Sequence, residues 1–183
     1  QRAGAAPTFP FQVLTGTSAG ALNATFLASK AMEGLRGLDD LAQFWAQIRT
    51  EAVYHLPQTP LDKFSRWATA LGLLRSAREH AAAMNSLALV NTLHQAIALE
   101  RIDTALHNGV LQALAVTASS YSTGDHVTFF EGDKRLMPWV RSQRISVRDH
   151  ITHAHLLASS AIPFVFPAQQ FHLNGRDEYF GDG

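Results

Sequence analysis

Phe11-Gln12-Val13-Leu14-Thr15-Gly16-Thr17-Ser18-Ala19-Gly20-Ala21-Leu22-Asn23-Ala24 opens on a short apolar run, passes through Gly-Thr-Ser-Ala-Gly and continues in small residues to Ala28. That order predicts a buried strand over 11–16, a sharp turn, and a helix from 18 to about 32. A serine in such a turn occupies a strained backbone position, its hydroxyl pushed out at the carboxyl end of the strand and backbone N–H groups of the helix aimed at whatever it attacks. Gly16 and Gly20 have a steric reason: a side chain at either position would collide where strand and helix almost touch. A purely structural or phosphate-binding turn is the alternative, but neither GxGxxG nor a Gly-Lys-Ser/Thr ending is present. The GxSxG order therefore makes Ser18 a candidate nucleophile and acyl transfer the first chemistry to consider.

Outward from this turn, Gly34 and Gly37 end the first helix and Asp39 is placed to cap the next, with Leu41, Phe44, Trp45 and Ile48 on one face. Pro57 and Pro60 break the pattern. A second amphipathic helix follows, carrying Phe64, Trp67, Leu71 and Leu74 in a stripe flanked by Lys63, Arg66, Arg75 and Arg78. As an interfacial helix it would offer Trp and Phe to lipid; a core-facing reading is preferred, since any packed helix shows such a stripe. Helices over 86–107 close near Asn108-Gly109. Val110–Thr117 and His126–Phe130 read as strands joined by the turn Ser122-Thr123-Gly124-Asp125. Ser146-Val147-Arg148-Asp149 has the form of a capping box opening a helix through about Ser159. Phe171-His172-Leu173, Asn174-Gly175 and Glu178-Tyr179-Phe180 form a last hairpin, with Gly181-Asp182-Gly183 as its exit.

With 183 residues, 46% hydrophobic and 16% charged, the chain has the size of one soluble domain. Fifteen basic and fifteen acidic residues cancel, so no global field draws it to nucleic acid. The cluster Lys134, Arg135, Arg141, Arg144 and Arg148 is read as a solvated face, because no aromatic interleaving suits it to base stacking. Absence of cysteine excludes disulfides, a thiolate nucleophile and thiolate-ligated zinc. Neither a membrane span nor a signal peptide is visible, and both ends look cut. The cytoplasm or a membrane periphery is the expected location.

Strands near both ends and in the middle, separated by helices, imply an α/β layered domain whose site lies at strand carboxyl ends. A serine hydroxyl needs a base. Among nine histidines, none has a loop setting with a partner acid: His150, His153 and His155 fall on one expected helix, and His172 lies within a hairpin. Those three histidines also lack HExxH spacing or a neighbouring acid ligand, so no metal is expected. A carboxylate acting directly is the other base. Asp182 lies between Gly181 and Gly183, which allow a tight turn and leave room for its approach to another loop.

Between the histidines and the last hairpin stands Leu157-Ala158-Ser159-Ser160-Ala161-Ile162-Pro163-Phe164-Val165-Phe166-Pro167. GTSAGALNA, ASSAIPFVFP and YFGDG, in this order, resemble the patatin-like phospholipase family over nearly the whole chain. The resemblance implies a three-layer α/β/α domain with a central, mostly parallel sheet, truncated at both ends, occupying residues 1–183. It implies a Ser-Asp dyad of Ser18 and Asp182, no metal and no cofactor, acting on phospholipid or other fatty-acyl esters, with peripheral membrane contact. Gly16, Gly20, Gly181, Gly183 and Pro163 would be the structural motif positions. The Ala19 N–H would be the first oxyanion donor. The family's upstream glycine-rich loop, GGGxRG or similar, is not matched by Arg2-Ala3-Gly4-Ala5-Ala6. That departure leaves a non-catalytic lipid-binding or regulatory domain as an alternative to a hydrolase, with an acyltransferase as a third reading.

Overall fold

A computed structural model describes residues 9–47, 95–161 and 167–182. The chain order is β1 (Val13–Thr17), α1 (Ala19–Ser29), a 3-10 turn (Ala31–Glu33), α2 (Arg36–Gln47), α3 (Glu100–His107), β2 (Ala113–Ser120), β3 (His126–Gly132), β4 (Val140–Arg141), β5 (Arg144–Arg148), α4 (His153–Ser160), β6 (Gln169–Leu173) and β7 (Arg176–Gly181). The expected Trp67 stripe, Ile48, Pro57, Pro60, Pro163, Gly183 and the Arg2–Ala6 segment lie outside the described residues.

The strands form one open sheet ordered β4-β5-β3-β2-β7-β6, with β1 also on β2. It is mixed rather than mostly parallel. β1·β2 and β3·β5 run parallel, whereas β2·β3, β2·β7, β4·β5 and β6·β7 run antiparallel. The reason is the connections: β2–β3 and β6–β7 are hairpins, the second turning at Asn174 (φ 51°) and Gly175 (φ 80°), which suits a two-residue turn that follows the sheet's twist.

Side chains alternate along β2. Leu114, Val116 and Ala118 are buried with Val127 and Phe129 of β3 against Ala21, Leu22, Phe26, Leu156 and Ala158 of α1 and α4, which share that face. Ala115, Thr117 and Ser119 face the other way. The second helical layer of the expected α/β/α sandwich is not among the described residues.

Three local expectations are corrected. Asp39 does not cap α2: the helix begins three residues earlier, so Asp39 lies in its first turn, where its charge meets the positive helix end. Gly34 (φ 68°) does stop the first helical stretch, but Gly37 lies inside α2, where a Cβ would meet Lys30 Cβ at 2.8 Å. Ser146–Arg148 is β5, not a helix start, because it pairs with Thr128–Phe130; the helix opens instead at His153, with Thr152 and His155 capping reciprocally. His150 is consequently off that helix.

Candidate active site

β1 and β7 occupy the same edge of β2 and run toward each other. β1 ends opposite Thr117 and β7 ends with Gly181 opposite Ser119, so only Ala118 separates the two strand ends. The residues that follow each strand, Ser18 and Asp182, meet there. Ser18 Oγ donates to Asp182 Oδ2 at 2.9 Å across a sequence separation of 164.

Ser18 has φ 54° and ψ −128°, a region that costs a non-glycine residue roughly 1–3 kcal/mol and persists only where neighbours hold it. The neighbours are specific. Ser18 N–H donates to Ser159 Oγ at 2.9 Å, and Ser159 Oγ–H donates in turn to Thr117 O at 2.6 Å, so the turn is fastened to both α4 and β2. Its carbonyl accepts from Ala21 N–H at 2.9 Å, and Ser160 Oγ lies 3.5 Å away. Asp182 is held through its own N–H on Ala161 O at 2.9 Å. One end of α4 therefore positions both residues. In the sequence Ser159 carries only a weak signal of this role, a hydroxyl among small residues toward a helix end.

Ser159 is fully buried, and its removal leaves the Ser18 N–H and the Thr117 carbonyl without their partner. Ser159→Ala is expected to cost about 2 kcal/mol in urea unfolding. A loss below about 0.5 kcal/mol would mean that this hydroxyl is not what fixes the turn.

β7 is anchored separately. Ser120 Oγ donates to Glu178 Oε2 at 2.8 Å and Arg176 Nε to Glu178 Oε1 at 2.9 Å, so the buried Glu178 carboxylate is paired on both oxygens. Gly181 leaves room, but the space is taken by the Tyr121 phenol, which a Cβ would strike. Partial burial, then the Asp182 charge, raise the Tyr121 pKa above its ordinary value.

At the glycines flanking Ser18 the steric argument holds for Gly16, whose Cβ would run into the Gly20 carbonyl and Ala21 N. It fails for Gly20, where a Cβ meets no atom within 4 Å among the described residues. Ala19 is the first residue of α1, so its N–H has no intrahelical acceptor.

Three of the described histidines have partners of their own. His155 is buried between Phe129 and Phe171, with ring centroids at 4.5 and 4.6 Å, and burial lowers its pKa. His172 pairs with Asp177 at 2.9 Å. His150 does gain acid neighbours, contrary to the sequence reading: Nδ1 lies 2.8 Å from Glu131 Oε2 and 3.7 Å from Asp103 Oδ1. The acids come from β3 and α3, which no local spacing reveals. One imidazole and two carboxylates with ligand atoms within 4.8 Å of one another can hold a divalent cation. This group sits toward the other end of β2 from Ser18, since Glu131 pairs with Leu114.

The model of the family described as Patatin-like phospholipase matches residues 4–183. No curated protein and no solved structure matches the chain significantly.

Proposed function

The chain belongs to the patatin-like phospholipase family, and from that premise we propose that residues 1–183 form a single catalytic domain, a serine acyl hydrolase acting on carboxylic esters of lipids. The observation that carries the reading is the 2.9 Å hydrogen bond from Ser18 Oγ to Asp182 Oδ2 at a strained turn. Ser18 is the nucleophile and Asp182 the base.

In the first half-reaction Ser18 Oγ bonds to the ester carbonyl carbon while its proton passes to Asp182 Oδ2. The carbonyl oxygen becomes an oxyanion, toward which the Ala19 N–H is available; the Ser18 N–H is not, being committed to Ser159. Collapse breaks the bond to the alcohol oxygen, which leaves with the proton from Asp182. In the second half a water gives its proton to Asp182 and its oxygen to the acyl carbon. Collapse then returns that proton to Ser18 Oγ and releases the fatty acid. No other group need titrate.

Phospholipid or another fatty-acyl ester is the substrate class, met at a membrane surface. No helix among the described residues is long and apolar enough to cross a membrane. The test is labelling by a fluorophosphonate probe together with turnover of a short-chain nitrophenyl ester. Labelling with release of free acid supports a hydrolase. Product diverted wholly to a new ester when an alcohol acceptor is added would make it an acyltransferase. Neither labelling nor turnover in the longest natural form of the chain would make it a binding or regulatory domain.

A further inference from the structure

On the sheet face turned away from α1 and α4 is a cavity of about 410 Å³ whose described lining is Thr17, the residue before Ser18, with Thr117, His126, Thr128, Trp139 and Arg144. Its floor is two cross-strand rows. Thr17, Thr117 and Thr128 stand side by side on β1, β2 and β3, the last two joined at 2.9 Å. Ser119, His126 and Arg144 form the next row on β2, β3 and β5. Each row ends one residue short of a dyad member: Thr17 precedes Ser18, and Ser119 pairs with Gly181, which precedes Asp182.

The chemistry of the lining is one-sided. Among the described residues it contains a guanidinium, an imidazole, an indole and three hydroxyls, and no carboxylate. Ser119 Oγ engages His126 Nδ1 at 3.0 Å, which leaves Nε2 for a ligand. The basic cluster read from the sequence as one solvated face divides here. Arg135 is paired with Asp133, Arg148 is spent on the carbonyls of Gly132, Asp133 and Leu136, and Arg141 lies over the Trp139 ring. Arg144 alone of these four arginines lines the cavity, and it has no ion-pair partner among the described residues. Trp139 is clamped over β5 by its N–H on Ser146 Oγ at 2.7 Å and its carbonyl on Ser146 N–H at 2.9 Å, which gives the cavity a fixed wall.

A guanidinium lining a cavity with an imidazole and three hydroxyls, and with no carboxylate beside it among the described residues, suits an anion, and the volume is that of a ligand pocket. We propose that this cavity holds a phosphate or carboxylate carried on the non-reacting part of the ester, so that the chain prefers anionic to neutral acyl esters. The assignment of the anion to the substrate rests on the reading of Ser18 and Asp182 given above.

The test uses Ser18→Ala protein, which binds without turnover, and calorimetry with three soluble probes below their micelle concentrations. These are dihexanoylphosphatidic acid, the hemisuccinate of dihexanoylglycerol, and neutral dihexanoylglycerol. At least one anionic probe is expected to bind about tenfold or more tighter than the neutral one, and the stronger of the two tells phosphate from carboxylate. Arg144→Gln should remove most of that preference, while Arg135→Gln, which lies outside the cavity, should keep it. Equal binding of all three probes, or a preference that survives Arg144→Gln, overturns the proposal. Because the readout is binding, a protein without esterase activity would defeat the dyad reading and leave this test to give its own answer.

Discussion

Asp182→Asn is expected to lower kcat/KM for ester hydrolysis by about three orders of magnitude while leaving thermal melting unchanged, the loss set by removal of a positioned general base. The substitution is nearly isosteric. The amide oxygen can still accept the hydrogen bond from Ser18 Oγ, and the Asp182 N–H on Ala161 O is a backbone contact that any residue keeps. What disappears is a group able to take a proton as Oγ attacks. The pH profile separates this from simple misplacement: the Asn variant should gain rate steadily as hydroxide replaces the missing base, whereas a displaced Ser18 would stay slow at every pH. Ser18→Ala serves as the control that loses fluorophosphonate labelling altogether. An Asp182→Asn enzyme within tenfold of the wild type would move the base elsewhere, with His126 the first histidine to test because it lines the neighbouring cavity.

Much of this arrangement is legible in the sequence because its two halves are locally encoded. Gly16-Thr17-Ser18-Ala19-Gly20 and Gly181-Asp182 each specify a turn in a few residues, and Asn174-Gly175 specifies the hairpin that delivers the second. The errors fall where distant strands decide. Ser146-Val147-Arg148-Asp149 satisfies a four-residue capping pattern, yet its partner in β3 begins 18 residues earlier, and strand pairing overrides the local preference. Arg144 and His126 become neighbours only through the same parallel pairing, so a window along the chain sees a basic cluster and not a cavity wall. The Asp103, Glu131 and His150 group was missed for that reason too. Gly20 is a different kind of error. The motif looks symmetric about Ser18, but the chain passes from strand to helix across it, and among the described residues close approach occurs on the strand side alone.

That asymmetry makes a strong prediction about stability. Gly16→Ala is expected to destabilise the fold by about 3 kcal/mol, at the upper end of ordinary overpacking. The added Cβ would lie 2.5 Å from Ala21 N and closer still to the Gly20 carbonyl. All of these are backbone atoms, so no rotamer change relieves the clash. β1 must separate from α1, and Ser18, two residues on, leaves the position held by Ser159. For a domain of this size the melting temperature should fall by roughly 6–12 °C, with ester hydrolysis lost in the protein that remains folded. Gly20→Ala, in the same motif and only four residues away, should have no such effect: its Cβ meets no atom within 4 Å among the described residues, and alanine exceeds glycine in helix propensity by up to about 1 kcal/mol. Differential scanning calorimetry of the two variants checks both signs at once. If Gly16→Ala melts with the wild type, or if the two variants lose equal stability, the strand and helix are not in the contact described, and the strain at Ser18 must be held by the hydrogen bonds from α4 alone.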